Sequence, residues 1–199
     1  MNIEELKVKA ENIVENIKDK GIYLKENTFI DYKLELKLNP NVGNVLIFLR
    51  NFAKDILAFA NKDGGLLLLG FNENKETGEI TDIGLKEDDI NILRAIDLKD
   101  LSDQFVKMFD AQIIVDIHAF NIATRKFYYI LIEKHNSILI PKNDFLDYGL
   151  KKGDIIYRSA GNNLKANERT SEFNTFIEAK VNEKNKEFMQ IWSNLLPEV

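Results

Sequence analysis

The sequence predicts a fold of both helices and strands, with a helix at each end. Three observations predict it. Apolar residues recur at helical spacing in residues 2–20, 44–61, 87–109 and 169–195. A period of two appears between residues 28 and 38. A solid aliphatic run, Leu66 to Leu69, follows Gly64-Gly65 and ends in Gly70. That run reads as a central strand covered on both faces.

The elements follow in order. In residues 2–20, Ile3, Leu6, Ala10, Ile13, Val14 and Ile17 make a helical stripe, and Gly21 stands where a C-cap glycine belongs. In residues 28–38, Tyr32, Leu34, Leu36 and Leu38 point one way and Asp31, Lys33, Glu35 and Lys37 the other, as in a half-buried strand. Asn39-Pro40-Asn41 ends it. Residues 44–61 form a largely buried helix through Val45, Leu49, Phe52, Ile56 and Phe59. The strand at 66–71 leads into a polar turn at 72–79 and a hairpin return at 80–83. Residues 87–109 read as one helix or two, followed by strands near 112–119 and 127–133. Pro141 lies in a connection, and Asp154 to Ser159 forms a short strand. The last helix, 169–195, carries Phe173, Phe176, Ile177, Val181, Phe188, Trp192 and Leu195; its stripe weakens at Lys184-Asn185, which allows a kink or a break into two.

Bulk composition narrows the function classes. Hydrophobic residues at 45% support a packed core in a chain of 199 residues, so one domain is expected. The chain has no cysteine, which removes disulfides and thiolate metal sites and suits a reducing compartment. The first twenty residues carry Glu4, Glu5, Glu11 and Glu15 and resemble no signal or transit peptide. No window approaches the ~18 apolar residues of a membrane span. A cytoplasmic location without membrane contact is therefore expected. A net charge of −5 argues against a strong, sequence-independent nucleic-acid binder, but leaves room for a local basic face. No G-x-x-x-x-G-K-[ST] or G-x-G-x-x-G is present, so no ATP site is expected. Only His118 and His135 are available as imidazole ligands, too few for a multi-histidine metal site within one chain.

Several segments together resemble one family. Asp31-Tyr32-Lys33 is similar to an E-F-K element, Ala58 to Gly65 to A-F-A-N-T-x-G-G, and Gly70-Phe71-Asn72-Glu73 to G-V-D-D. Ile83-Gly84-Leu85 is similar to V-G-L, Pro141 to a proline before the last strand, and Ile156 to Asn163 to Y-I-R-x-G-S-x-N. In order and spacing these resemble the Schlafen-type AlbA domain, also described as an AlbA-like DNA-binding domain. The likeness covers about residues 26–168 as a core. It leaves an N-terminal helix within 1–24 and a helical extension at 169–199.

The resemblance implies an α+β fold, a small mixed or antiparallel sheet with helices packed against it, and nucleic-acid contact. Some members cut RNA, notably tRNA, with three metal-binding acids. Those positions hold Glu26, Asp31 and Glu73 here, and Mg²⁺ or Mn²⁺ is the implied cofactor. Asp31 replaces a usual Glu, Glu73 a usual Asp, and Asn72 the neighbouring acid. Each swap moves the carboxylate by about one bond length, ~1.5 Å, and together they either cancel or abolish the site. A spacing of five puts Glu26 and Asp31 on opposite faces of a regular strand. Glu26 is therefore expected in the loop beyond Gly21. From spacing alone, the three are ordinary surface carboxylates among 32 acids. Lys33 and Lys37, on the strand face of Asp31, are candidate phosphate contacts, as is Arg158 through its bidentate fork. Lys142 is a candidate for a basic rim with Lys151, Lys152 and Lys165. Asn61 is expected to tie the turn before Gly64 rather than to act in chemistry.

Three functions follow as expectations. The first is a metal-dependent endoribonuclease acting on structured RNA such as tRNA, with Glu26, Asp31 and Glu73 as catalytic metal ligands. The second is a non-catalytic DNA-binding or transcription-regulatory module. The third is a homodimeric interaction protein built through its terminal helices.

Overall fold

A computed structural model describes residues 2–39 and 41–195. The strand-ending role expected of Pro40, the apolar role expected of Leu195, and residues 196–199 of the C-terminal extension lie outside what it describes. In chain order the elements are α1 (Ile3–Lys20), β1 (Ile30–Lys33), α2 (Asn44–Asn61), β2 (Gly65–Leu69), β3 (Phe71–Asn74) and β4 (Glu79–Asp82). Then come α3 (Glu87–Arg94), α4 (Leu98–Phe109), β5 (Val115–Ile122), β6 (Arg125–Ile132), β7 (Ile156–Ser159), β8 (Asn162–Lys165) and α5 (Thr170–Leu195).

The main sheet has the order β1-β2-β6-β5, with β1 parallel to β2 and the other pairs antiparallel. The aliphatic run of β2 is covered on both faces, as its composition predicts. Leu66 and Leu68 join Tyr129 and Leu131 under α1, whose Leu6, Ala10, Ile13 and Ile17 are buried. Leu67 and Leu69 join Ile130 and Ile132 under α2, α3 and α4. The fold is thus α+β, a mixed sheet between one helix and three. Two hairpins, β3–β4 and β7–β8, stand beside it.

Local sequence explains the key joins. α1 begins with a capping box: the Asn2 side chain accepts the Glu5 N–H at 2.9 Å and the Glu5 carboxylate accepts that of Asn2 at 3.1 Å. It ends at Gly21, in the left-handed region at φ 60°. Between α2 and β2, Gly64 has φ 78°, and a Cβ there would sit 2.7 Å from the Ile132 carbonyl. A Cβ on Gly65 would overlap the Phe59 ring. The Gly-Gly pair therefore lets the end of α2 pass hard against β6. Asn61, fully buried, does more than tie that turn. It donates to the carbonyls of Leu139 and Ile156 at 2.9 and 2.8 Å and accepts the Leu139 N–H at 2.6 Å. It pins the strand β7 and the segment before it to the end of α2.

The structure corrects some expectations and settles others that the sequence left open. The strand expected at 28–38 is only β1, four residues long. Its last ladder bond runs from Gly70 N–H to Lys33 C=O at 2.8 Å, and β2 offers no backbone beyond it. After Lys33 the alternation lapses, so Leu34 and Leu38 are exposed while Leu36 is buried. Asp31, expected on a solvated face, is 3% exposed, because α2 and the β7–β8 hairpin cover that side. The 87–109 segment resolves into α3 and α4; Asp97 caps the second by accepting the Lys99 N–H at 2.7 Å. The strand β8 was not expected. α5 runs through Lys184-Asn185 unbroken. Its first half packs Phe176 against Tyr157 and Leu164, whereas Val181, Phe188, Met189, Ile191 and Trp192 are exposed. Among the described residues no helix is long and apolar enough to cross a membrane.

Candidate functional site

An open cleft of about 450 Å³ gathers side chains from five parts of the fold. The loop before β1 brings Glu26, and β1 brings Asp31 and Lys33. The β3–β4 hairpin brings Asn72, Glu73 and Lys75, α2 brings Lys54 and Asp55, and the β7–β8 hairpin brings Arg158, Asn162 and Asn163. The three acids that the sequence singles out thus line one cleft. So do Lys33 and Arg158.

Glu26 lies in the lead-in loop, outside the strand. Its Oε1 accepts the Tyr32 N–H at 2.9 Å, which turns the carboxyl back toward Asp31. Burial foremost, then a hydrogen bond with Asp31 and the charges of Asp31 and Glu73, push the Glu26 carboxyl up to about 8; the Tyr32 N–H works the other way. Burial also acts to raise Asp31. The bond from Glu26 and the positive charges of Lys33 and Arg158 outweigh it and hold that carboxyl below its usual range. With Glu26 pushed up chiefly by burial and Asp31 held down by its cations, the pair carries one proton near neutral pH. Glu73 is half-buried on the far lip.

A closed ring of polar contacts surrounds Asp31. Lys33 Nζ is 2.6 Å from Asp31 Oδ2 and 3.5 Å from Asp55 Oδ1. Asn163 Nδ2 donates to Asp55 Oδ1 at 2.5 Å, and Arg158 donates to Asn163 Oδ1 at 3.0 Å. Arg158 closes the ring at 3.4 Å from Asp31 Oδ1. Two acids, two cations and one amide lock β1, α2, β7 and β8 together. Arg158 is 2% exposed, donates to the carbonyls of Asn27 and Ile30, and lies 4.8 Å over the Phe59 ring. Placed so, its guanidinium serves the fold and presents little to the cleft.

The other expected contacts lie elsewhere. Lys37 falls beyond β1, where its backbone pairs with the Asn51 side chain, so it does not share a face with Asp31. Lys142 pairs with Asp110 at the end of α4, at 2.9 Å, away from the cleft. Asp55, Lys54, Lys75 and Asn163 were missed. Asp55 carried a readable signal: it falls on the same buried stretch of α2 as Phe52, Ile56 and Phe59, where an unpaired acid is costly.

A divalent ion does not fit the site as placed. Asp31 Oδ2 favours one, because it is buried with no aligned hydrogen-bond donor. Against it, two cations already neutralise Asp31, and Glu26 is engaged by backbone. Among the described residues, no three acids or histidines converge closely enough to hold a metal.

No curated protein matches the chain. Among solved structures, the DIP2311 protein of Corynebacterium diphtheriae is similar with a TM-score of 0.46 and 17% identity, over 81% of this chain and 30% of that one. This chain therefore spans under a third of that protein's length. The N-terminal domain of a RecG-related protein from Nitrosomonas europaea is similar with a TM-score of 0.40 and 19% identity, over 77% of this chain and 89% of that one. Residues 26–167, more than half the chain, match the family described as Schlafen, AlbA_2. The chain belongs to the Schlafen AlbA_2 family.

Proposed function

We propose that this chain binds nucleic acid and that the cleft described above receives the sugar-phosphate backbone. One observation carries the reading: Lys33, Lys54 and Lys75, from three separate elements, converge on the same open cleft in an otherwise acidic chain. Cations placed around a groove neutralise phosphates and set register without reading sequence. The acids between them limit the grip to a short stretch of backbone.

Cleavage of structured RNA such as tRNA is a second reading. It is favoured by Glu26, Asp31 and Glu73 lining the one cleft, and it requires the two cations on Asp31 to give way to a metal ion. Total tRNA incubated with Mn²⁺, Mg²⁺ or EDTA, beside an E26A/D31A/E73A variant, separates the two. Binding without cleavage supports the module. Metal-dependent cleavage lost in the variant supports the nuclease. No binding of RNA or of duplex DNA sinks both.

Self-association has its own support. The exposed second half of α5 places Phe188 and Trp192 in edge-to-face contact 6.0 Å apart on an uncovered apolar face.

A further inference from the structure

Asp55, an acid on the buried stripe of α2, faces Lys33 in the cleft. Lys33 and Asp31 stand two residues apart on the same face of β1. Held by Asp31 alone, the lysine would lie back along its own strand. Asp55 comes from α2, on the opposite side, and its Oδ1 is 3.5 Å from Lys33 Nζ. Asp55 is itself fixed, 7% exposed, by the 2.5 Å bond from Asn163 Nδ2. Asn163 is fixed in turn by Arg158. The Lys33 ammonium is ion-paired with both carboxylates, and its side chain stays 32% exposed to the cleft.

We propose that Asp55 is a positioning residue: it holds the Lys33 ammonium over the cleft so that it meets a phosphate oxygen of the bound nucleic acid. The inference rests on the nucleic-acid reading of the cleft and assigns a role within it. It has a sign that a bystander acid would not show. A carboxylate beside a phosphate repels it, so neutralising a bystander strengthens binding. Neutralising a positioning acid releases the lysine and weakens binding.

The test is tRNA binding by fluorescence anisotropy across a salt series, for wild type, K33M, D55N and K33M/D55N. Loss of one lysine–phosphate contact lowers the magnitude of the salt slope by about 1. K33M is expected to show that loss in full, D55N about half of it. The double variant is expected to match K33M, because Asp55 acts through Lys33. If D55N binds as well as or better than wild type while K33M loses its contact, the positioning role is overturned and the cleft reading stands. If wild type does not bind, or K33M binds as wild type does, the assignment of Lys33 fails and the positioning role falls with it. Should D55N not fold, Asn163→Ala removes the other hold on Asp55; weaker binding upholds the role and unchanged binding overturns it.

Discussion

Glu26 accepts the main-chain N–H of Tyr32 at 2.9 Å, and this bond carries a loop carboxyl to the side of a strand where its spacing from Asp31 would not place it. The bond links six residues of chain and resolves the problem of two acids five apart. It also creates a tension, because burial foremost and then the neighbouring Asp31 disfavour an ionised Glu26.

That tension has a pH signature. The Glu26 carboxyl titrates near 8 when folded, against 4.5 as its ordinary value. The folded state therefore binds more protons than the unfolded state between those values, and stability falls as pH rises through that window. Asp31 works in the opposite sense and in a different window. Its lowered pKa adds stability above its ordinary 3.8, lost as pH falls through the folded value. Glu26→Gln removes the first effect and keeps a hydrogen-bonding side chain. Urea midpoints at pH 5 and pH 8 should show the variant gaining on wild type mainly at pH 8. An equal change at both would contradict the shared proton.

Asn61→Ala tests the pin between α2 and the segment leading to β7. It leaves the Leu139 N–H and two buried carbonyls without partners. At ~1–3 kcal/mol for an unsatisfied buried group, the expected loss is about 3 kcal/mol or more. Chemical denaturation measures it; a loss under about 1 kcal/mol would show that the amide is not the pin.

Gly65→Ala adds a single methyl where the Phe59 ring already stands, with the Phe29 carbonyl at 2.9 Å. Overpacking of this kind costs ~1–3 kcal/mol. Thermal melting of the variant should show it as a lowered midpoint.

Much of this fold was legible because local chemistry and tertiary packing agree. The helical stripe and Gly21 marked α1, and the aliphatic run of β2 announced a strand covered twice. The glycine pair marked a close approach. What was not legible depends on partners distant in sequence. Asp31 reads as half of a polar stripe until α2 and the β7–β8 hairpin are laid over it. The strand beyond Lys33 failed for want of a neighbour, which alternation cannot reveal. In the site, Glu26, Asp31 and Glu73 were found through a resemblance, and the structure brings them to one cleft. Lys37 was lost because it lies past the end of β1. Asp55 was missed although an acid on a buried helical stripe asks for a cation.

The exposed end of α5 predicts concentration-dependent self-association. Phe188 and Trp192 are 59% and 49% exposed. Aromatic side chains bury ~150–250 Å² each, so an uncovered pair favours a partner surface. Light scattering across a hundredfold concentration range should show a mass above that of one chain, lost in F188E/W192E. A constant mass of one chain would remove the dimer.

The central claim is that the cleft receives nucleic acid through its converging lysines. The most direct measurement is anisotropy titration of labelled tRNA with wild type and with K33M/K54M/K75M, both checked for folding. The account predicts that wild type binds with a steep salt dependence and that the triple variant loses most of the affinity and flattens the slope by about 3, one for each contact. Equal binding and an equal slope in the two proteins would place the nucleic acid elsewhere and contradict it.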